Sequence, residues 1–573
     1  MSKLLKYLKK YKIESILAPF FKLIEVAFEL IVPLIVSTII DIGIENGDKV
    51  YIIKRCLLLG LFGILGLCST LVAQYFSAKA SVGFATDIRH ALFQHIGKLS
   101  YSQLDSLGAP TLITRLTGDI NQVQTGTNLT LRLVLRSPFV VFGAVIMAFT
   151  VDAKSSLVFV VAVPALAAVV FAIMLMCIPM YRKVQQKLDG LLSKTRENLL
   201  GTRVVRAFCK EDEEIEDFDA KNKALTEMQT AVGRISAFMN PATFVLINLA
   251  IIALIYVGAI RVDSGAISRG AVVALYNYMS QILVELIKLA NLIISVTKAI
   301  ACGNRIQSVL DIEPATVPGT VTEGDKKCEY SVEFDGACLS YNGSEESLHN
   351  IDLKIPRGST VGVIGSTGSG KSSLVNLIPR FYDVTGGCVL VDGVDVRDYD
   401  TKALRSKIGV VSQKKALFSG SVRDNIRFGK QDATDEEIWQ ALETAQAKQM
   451  IEEKSGHLDF VLEQEGKNLS GGQRQRMTIA RALVRKPEVL ILDDAASALD
   501  YATDAALNKA LRNTDFVPTV ITVSQRVAAI RNADTIVVLD EGEIVGIGTN
   551  DELLRSCEVY REIFDSQLEK EDA

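Results

Sequence analysis

The chain has 573 residues, more than one ordinary domain uses, and 49% of them are hydrophobic, with a mean hydropathy of +0.26. That balance implies a membrane-embedded part. A formal net charge of -4 lacks the basic excess of a polyanion binder and argues against a nucleic-acid partner. The nine cysteines form no C-x-x-C pair, and Cys56, Cys68 and Cys177 lie in apolar runs, so neither a zinc site nor a disulfide framework is indicated.

The N-terminal MSKLLKYLKKYK has the basic front of a signal peptide. The apolar run from Ile13 nevertheless passes Ile40 without a small-residue cleavage pattern, so an interfacial start to a first membrane helix is expected. Crossing the hydrocarbon core takes roughly 20 mainly apolar residues. Six segments meet that length, at about 14–40, 55–78, 131–151, 155–180, 236–261 and 270–298. The gaps after the second and fourth each hold roughly 50 residues with helical periodicity. Arg89, Lys98, Arg115, Arg182, Lys183, Lys187, Lys194 and Arg196 fall in these gaps, and the positive-inside rule assigns them, with the N-terminal lysines, to the cytosol. A multi-pass protein of the cytoplasmic membrane with both termini cytosolic is expected.

Hydropathy falls from residue 304, and a polar stretch bearing Pro and Gly reads as a linker over 304–330. Short β-rich runs then alternate with helical stretches: SVEFDGACLSY, TVGVIG, GCVLVDG, IGVVSQ, EVLILDD, TVITVS and TIVVLD. The expected organisation is an all-α six-helix membrane domain with long cytoplasmic helical extensions over 1–303, and an α/β domain over 331–573.

GSTGSGKSS follows the strand TVGVI and opens a helix, which satisfies G-x-x-x-x-G-K-[ST] in its required context. Gly365, Ser366, Thr367, Gly368, Ser369 and Gly370 can curl backbone N–H groups around phosphate oxygens. Lys371 can reach the β and γ phosphates, Ser372 can ligate magnesium, and Ser373 closes the motif. The α/β domain is therefore expected to be a P-loop NTPase. Downstream, NLSGGQRQRMTIARAL opens a helix just before the strand EVLILDD.

With LSGGQ in that position, the chain closely resembles the ATP-binding cassette family, over almost its whole length, as a half-transporter of the exporter type. The resemblance implies ATP and Mg2+ as cofactors. It implies that Tyr341 stacks on adenine, that Gln413 in VVSQ senses magnesium and the membrane domain, and that Asp493 binds magnesium with Ser372 and Gln413. Leu469, Ser470, Gly471, Gly472 and Gln473 are the signature, offered to the ATP held by a partner, and Ser497 to Asp500 match the D-loop. QLDSLGAPTLITRL (Gln103 to Leu116) and GTRVVRAFCKEDE (Gly201 to Glu213) resemble the family's short coupling helices, with Val204, Val205 and Phe208 directed at the opposite subunit's cassette.

Three positions depart from the family pattern. Asp494 stands where a catalytic glutamate is usual, and Gln525 where a switch histidine is usual. A carboxylate one methylene shorter lies about 1 to 1.5 Å further from a water it must orient, which can cost on the order of 100-fold in rate. Gln525 can donate to a phosphate but cannot carry an imidazolium charge. In VLEQEGK, just before the signature, Gln464 occupies a glutamate position. The chain thus resembles the degenerate-site subunit of a bacterial heterodimeric multidrug exporter. That implies a second, non-identical half-transporter with an intact Walker B glutamate and switch histidine. A homodimer using Asp494 as a slow base and a regulatory ATP-binding subunit are the alternatives.

For cargo, the local pointers are charges inside the membrane segments. Glu25 and Glu29 share one face of the first, and Glu285 and Lys288 lie in the sixth. An acidic cavity would favour a small hydrophobic or amphiphilic substrate of cationic character. A lipid flippase or peptide exporter would share every motif, and local i, i+3 pairing of Glu285 with Lys288 would leave no cavity charge. His90, His95, His349 and His457 form no ligand cluster.

Overall fold

The computed structural model describes residues 2–316, 318–341, 346–495 and 499–571. It divides into two compact units, Met1–Gly97 with Ala109–Ile312, and Lys98–Gly108 with Glu313–Ala573.

The first unit contains six helical spans long and apolar enough to cross a membrane: Leu5–Ile44, Lys49–Ile96, Ala109–Val151, Ala153–Ala207, Glu211–Asp263 and Arg269–Leu310. The fourth, of 55 residues, is about 80 Å long at 1.5 Å per residue, against a hydrocarbon core of about 30 Å. The expected extensions are therefore direct continuations of the membrane helices. Their starts are fixed by side chains that take up orphan N–H groups. Asp48 accepts the N–H of Tyr51, Asp152 that of Ser155, and Ser268 that of Ala271. The apolar interior gathers Val26, Leu30, Val140, Ala144, Phe159, Leu166, Leu254, Leu275, Tyr278 and Ile282.

The acidic-cavity expectation is corrected here. Glu285 is 3% exposed and Arg136 8%. The Arg136 guanidinium donates to Glu285 and, at 2.9 Å, to Glu29. Lys288 donates to Glu285 at 2.8 Å, Ser137 to the same carboxylate at 3.0 Å, and Lys22 to Glu25. Three carboxylates thus meet three cations, and the expected Glu285–Lys288 pair is one edge of a neutral network. Arg136 and Lys22 lie inside the predicted segments, so a census of every intramembrane charge would have found them.

The second tip segment is also corrected. Gly201 to Glu213 is not a separate short helix: it comprises the last turns of Ala153–Ala207, a bend with Cys209 at φ 51°, and the start of Glu211–Asp263. Phe208 is 72% exposed at that bend. The first tip divides at Gly108 (φ 73°) into helices Tyr101–Leu107 and Ala109–Thr114.

The second unit is built on a six-stranded sheet in the spatial order Glu543–Gly548, Thr535–Asp540, Thr360–Gly365, Thr519–Val523, Val489–Asp493, Ile408–Val411. All neighbours are parallel except the first pair. Val489–Asp493 and Thr519–Val523 are buried throughout, as strands covered on both faces must be. A four-stranded antiparallel sheet, with Tyr330–Ser340 between Glu346–Pro356 and Gly386–Val391, packs its apolar side into the same core. Lys98–Gly108 belongs to this unit: Tyr101 stacks on Phe381 with ring centroids 4.5 Å apart, and the Tyr382 hydroxyl donates to Asp105 at 2.7 Å.

Candidate functional site

Thr360–Gly365 delivers the glycine-rich turn at the C-terminal edge of the parallel sheet, where α/β folds bind their ligands. Two glycines there are sterically required. A Cβ on Gly365 would fall 2.0 Å from the Leu539 carbonyl oxygen, and one on Gly370, at φ 93°, would fall 2.8 Å from the Ser347 carbonyl oxygen. Lys371 is 8% exposed, and among the described residues its Nζ donates only to neutral oxygens: Gly365 O at 3.0 Å, Ser366 O at 2.5 Å and Ser369 Oγ at 3.3 Å. Burial holds its ammonium below the usual lysine range. A buried cation ringed by carbonyls is poised to exchange them for an anion.

Opposite it, the strand Val489–Asp493 ends at Asp493, whose Oδ1 accepts the Ser372 hydroxyl at 3.1 Å. Burial, and then the neighbouring Asp494 charge, push the Asp493 carboxyl above the usual range despite that hydrogen bond and Lys371. A buried hydroxyl–carboxylate pair is an oxygen donor set that would suit a divalent cation. Asp494 leaves the strand at φ 51° with its N–H on Val523 O at 2.9 Å, and its Oδ2 accepts from Gln413 Nε2 at 3.4 Å. The structure therefore brings Lys371, Ser372, Gln413, Asp493 and Asp494 together, while Ser366, Thr367 and Gly368 form the exposed rim. The cradle and the donor set fit nucleotide phosphates with magnesium.

Tyr341 meets the edge of Tyr382 at 5.0 Å between centroids, and its hydroxyl donates to Ser373 at 3.0 Å. Tyr382 is a residue the sequence reading missed; the signal available was an aromatic pair, Phe381–Tyr382, shortly after the P-loop helix. Gln525 is exposed two residues after Thr519–Val523, beyond Ser524.

The signature lies at the start of the helix Gly471–Leu483. Leu469 is buried, while Ser470 and Gln473 cap each other's backbone N–H groups at 3.3 and 2.9 Å. A Cβ on Gly471 would meet open space, so no side chain crowds this helix start. Of the expected D-loop, Ser497 and Ala498 lie outside the described residues; Asp500 caps Tyr501–Arg512 by accepting the Thr503 N–H at 3.4 Å.

Six apolar spans and a P-loop ATPase fold with an LSGGQ helix define a nucleotide-powered membrane transporter. Residues 15–286 match the ABC transporter transmembrane region family and residues 348–497 the ABC transporter family. The chain is 38% identical to an uncharacterised ABC transporter ATP-binding protein of Mycobacterium tuberculosis over 95% of this chain and 94% of that protein. It is 32% identical to the ATP-dependent lipid A-core flippase of Desulfotalea psychrophila over 84% of each chain. The solved structure of a bacterial Atm1-family ABC exporter with ATP bound superposes with a TM-score of 0.79 at 22% identity, covering 98% of both chains. The chain belongs to the ABC transporter family, as a six-span half-transporter with the Atm1-family exporter fold and ATP-driven transport as its activity.

Proposed function

We propose that this chain is one half of a heterodimeric exporter of hydrophobic or amphiphilic compounds, holding a nucleotide site that binds ATP firmly and hydrolyses it poorly. One observation carries this. Lys371, Ser372 and Asp493 stand together around the glycine-rich turn, whereas Asp494 and Gln525 stand where the resemblance to the family would put a glutamate and a histidine.

In this reading Gly365 to Ser373 cradle the phosphates, Tyr341 takes the adenine, and Ser372, Gln413 and Asp493 would hold magnesium, which supplies charge neutralisation between phosphate oxygens. Lys371 trades three neutral acceptors for phosphate oxygens and gains charge-assisted bonds. Asp494 accepts from Gln413 and is one methylene shorter than a glutamate, so in this reading it would orient an attacking water poorly. The signature, Leu469 to Gln473, is intact and is offered to the partner's competent site, where a glutamate and a histidine complete hydrolysis. Closure of the two cassettes then turns the membrane cavity outward, and hydrolysis resets it.

The neutral network around Arg136 supplies no preference for cations, so the substrate is assigned as an amphiphile without a charge sign. A lipid substrate is the second reading, favoured by the similarity to a protein named as a lipid A-core flippase. The test is an ATPase assay of the purified chain alone and with the half-transporter that co-purifies with it. The expected result is ATP binding with slow hydrolysis alone and brisk hydrolysis in the pair. Brisk hydrolysis by the lone chain, abolished by Asp494→Asn, overturns the proposal.

A further inference from the structure

The turn that carries Gln525 is held by a side chain from far along the sequence. Within the turn, Ser524 donates its N–H to Val363 O at 3.0 Å, and its buried hydroxyl oxygen accepts the Arg526 N–H at 2.9 Å. The carbonyl of Gln525 and the N–H of Val527 are left to flank Arg526. Both go to the amide of Gln567: its Nε2 donates to Gln525 O at 2.8 Å, and its Oε1 accepts the Val527 N–H at 2.9 Å. The partners fix the amide's orientation, since one offers only a lone pair and the other only a proton. Asparagine lacks the reach, glutamate lacks a donor at neutral pH, and lysine lacks an acceptor.

Gln567 is itself aimed by a well-anchored element. The C-terminal helix Glu558–Glu571 buries Tyr560 completely, and Tyr560, Ile563 and Phe564 pack with Ile364, Val527, Ile530, Ile536 and Val538. Ile364 is the residue before Gly365, at the entrance to the phosphate loop. One helix thus rests on the strand feeding that loop and pins the turn beyond the neighbouring strand.

We propose that Gln567 is a positioning residue for the terminal phosphate of ATP: it fixes the Gln525–Val527 backbone so that the exposed Gln525 side chain is presented from a preset turn. This rests on the reading above that Gln525 faces the γ-phosphate. A neutral amide brings no charge attraction to a phosphate, so its contribution depends on being held in place before the nucleotide arrives. The helix Glu558–Glu571 then acts as a reader of ATP over ADP.

The experiment measures binding of a hydrolysis-resistant ATP analogue and of ADP to the full-length chain, purified with whatever subunit accompanies it, for Gln567→Ala and Gln567→Met. Methionine keeps the length and volume and removes both hydrogen bonds. The expected result is a loss of about five- to tenfold in affinity for the ATP analogue, with ADP affinity within about twofold. Gln525→Ala combined with Gln567→Met should lose no more than Gln525→Ala alone, because both act through one contact. Equal loss of both nucleotides, no loss of either, or additive losses would overturn the assignment, as would a Gln525→Ala variant that binds the analogue normally. Brisk hydrolysis by the lone chain would instead refute the impaired-site proposal and leave a selective loss at Gln567 standing.

Discussion

At the residue scale the site is a set of compromises between folding and chemistry. Asp493 is buried beside Asp494, and its carboxyl lies above its ordinary value of 3.8. A group whose pKa is raised on folding favours its protonated form in the folded state, so it contributes stability below 3.8 that is lost as pH rises through the raised value. At neutral pH the nucleotide-free domain therefore carries a penalty. Asp493→Asn should raise nucleotide-free stability by about 1 kcal/mol at neutral pH and abolish magnesium-dependent nucleotide binding. Thermal unfolding with and without Mg-ATP reads both, and the gain should shrink as the pH approaches 3.8. The roles proposed for Asp494 and Gln525 give a second outcome. Asp494→Glu with Gln525→His should raise phosphate release from this chain's own site on the order of 100-fold, measured in single turnover with the partner's site disabled. Gln525 was legible in the sequence through the resemblance to the cassette family, where a histidine is usual at that position. Gln567 carried no signal, since only packing brings it within 3 Å of a turn some 40 residues upstream.

At the element scale, helix starts decide where chemistry is presented. Ser470 and Gln473 cap the signature helix reciprocally, and replacing an N-cap serine by alanine typically costs about 1 kcal/mol. Ser470→Ala should lower steady-state hydrolysis in the assembled transporter while leaving this chain's own ATP affinity unchanged, because its P-loop lies on a different element. Photolabelling of each subunit with an ATP analogue, run beside the ATPase assay, separates the two effects. The elements themselves were largely readable: apolar length announced the six spans, and β-rich runs alternating with helical stretches the α/β domain. The tips were less so. Phe208 to Lys210 reads as helix by composition, and only the positive φ of Cys209 shows the chain turning there. Gln103 to Leu116 was legible as a coupling helix by resemblance, but Lys98 to Ser102 carries no such motif, and it is Tyr101 that stacks on Phe381.

At the scale of the whole molecule, each unit has its own core, and the membrane unit also carries the charged network among Glu25, Glu29, Arg136 and Glu285. Glu285→Gln removes the carboxylate that both Arg136 and Lys288 share, leaving a buried guanidinium short of charge, and should destabilise the membrane unit by about 3 kcal/mol. Lys288→Ala removes a cation whose side chain is 45% exposed, and should cost less than about 1 kcal/mol. Melting temperatures of the two variants in the same detergent check the ranking. If Glu285→Gln melts like the parent, the buried network is not a structural tie.

The sequence by itself determined the six membrane spans and the glycine-rich P-loop ending in Lys371 and Ser372, patterns set by hydrophobic length and by the steric demands of a tight turn, whereas Asp493, the LSGGQ helix and the unusual Asp494 and Gln525 were legible through the resemblance to the cassette family. Only the tertiary structure decided which charges neutralise one another around Arg136, that Tyr382 supports Tyr341, and that Gln567 holds the turn of Gln525. Those contacts join residues tens to hundreds of positions apart, and no periodicity along a chain encodes which distant side chain will satisfy a buried charge or an unpaired backbone group.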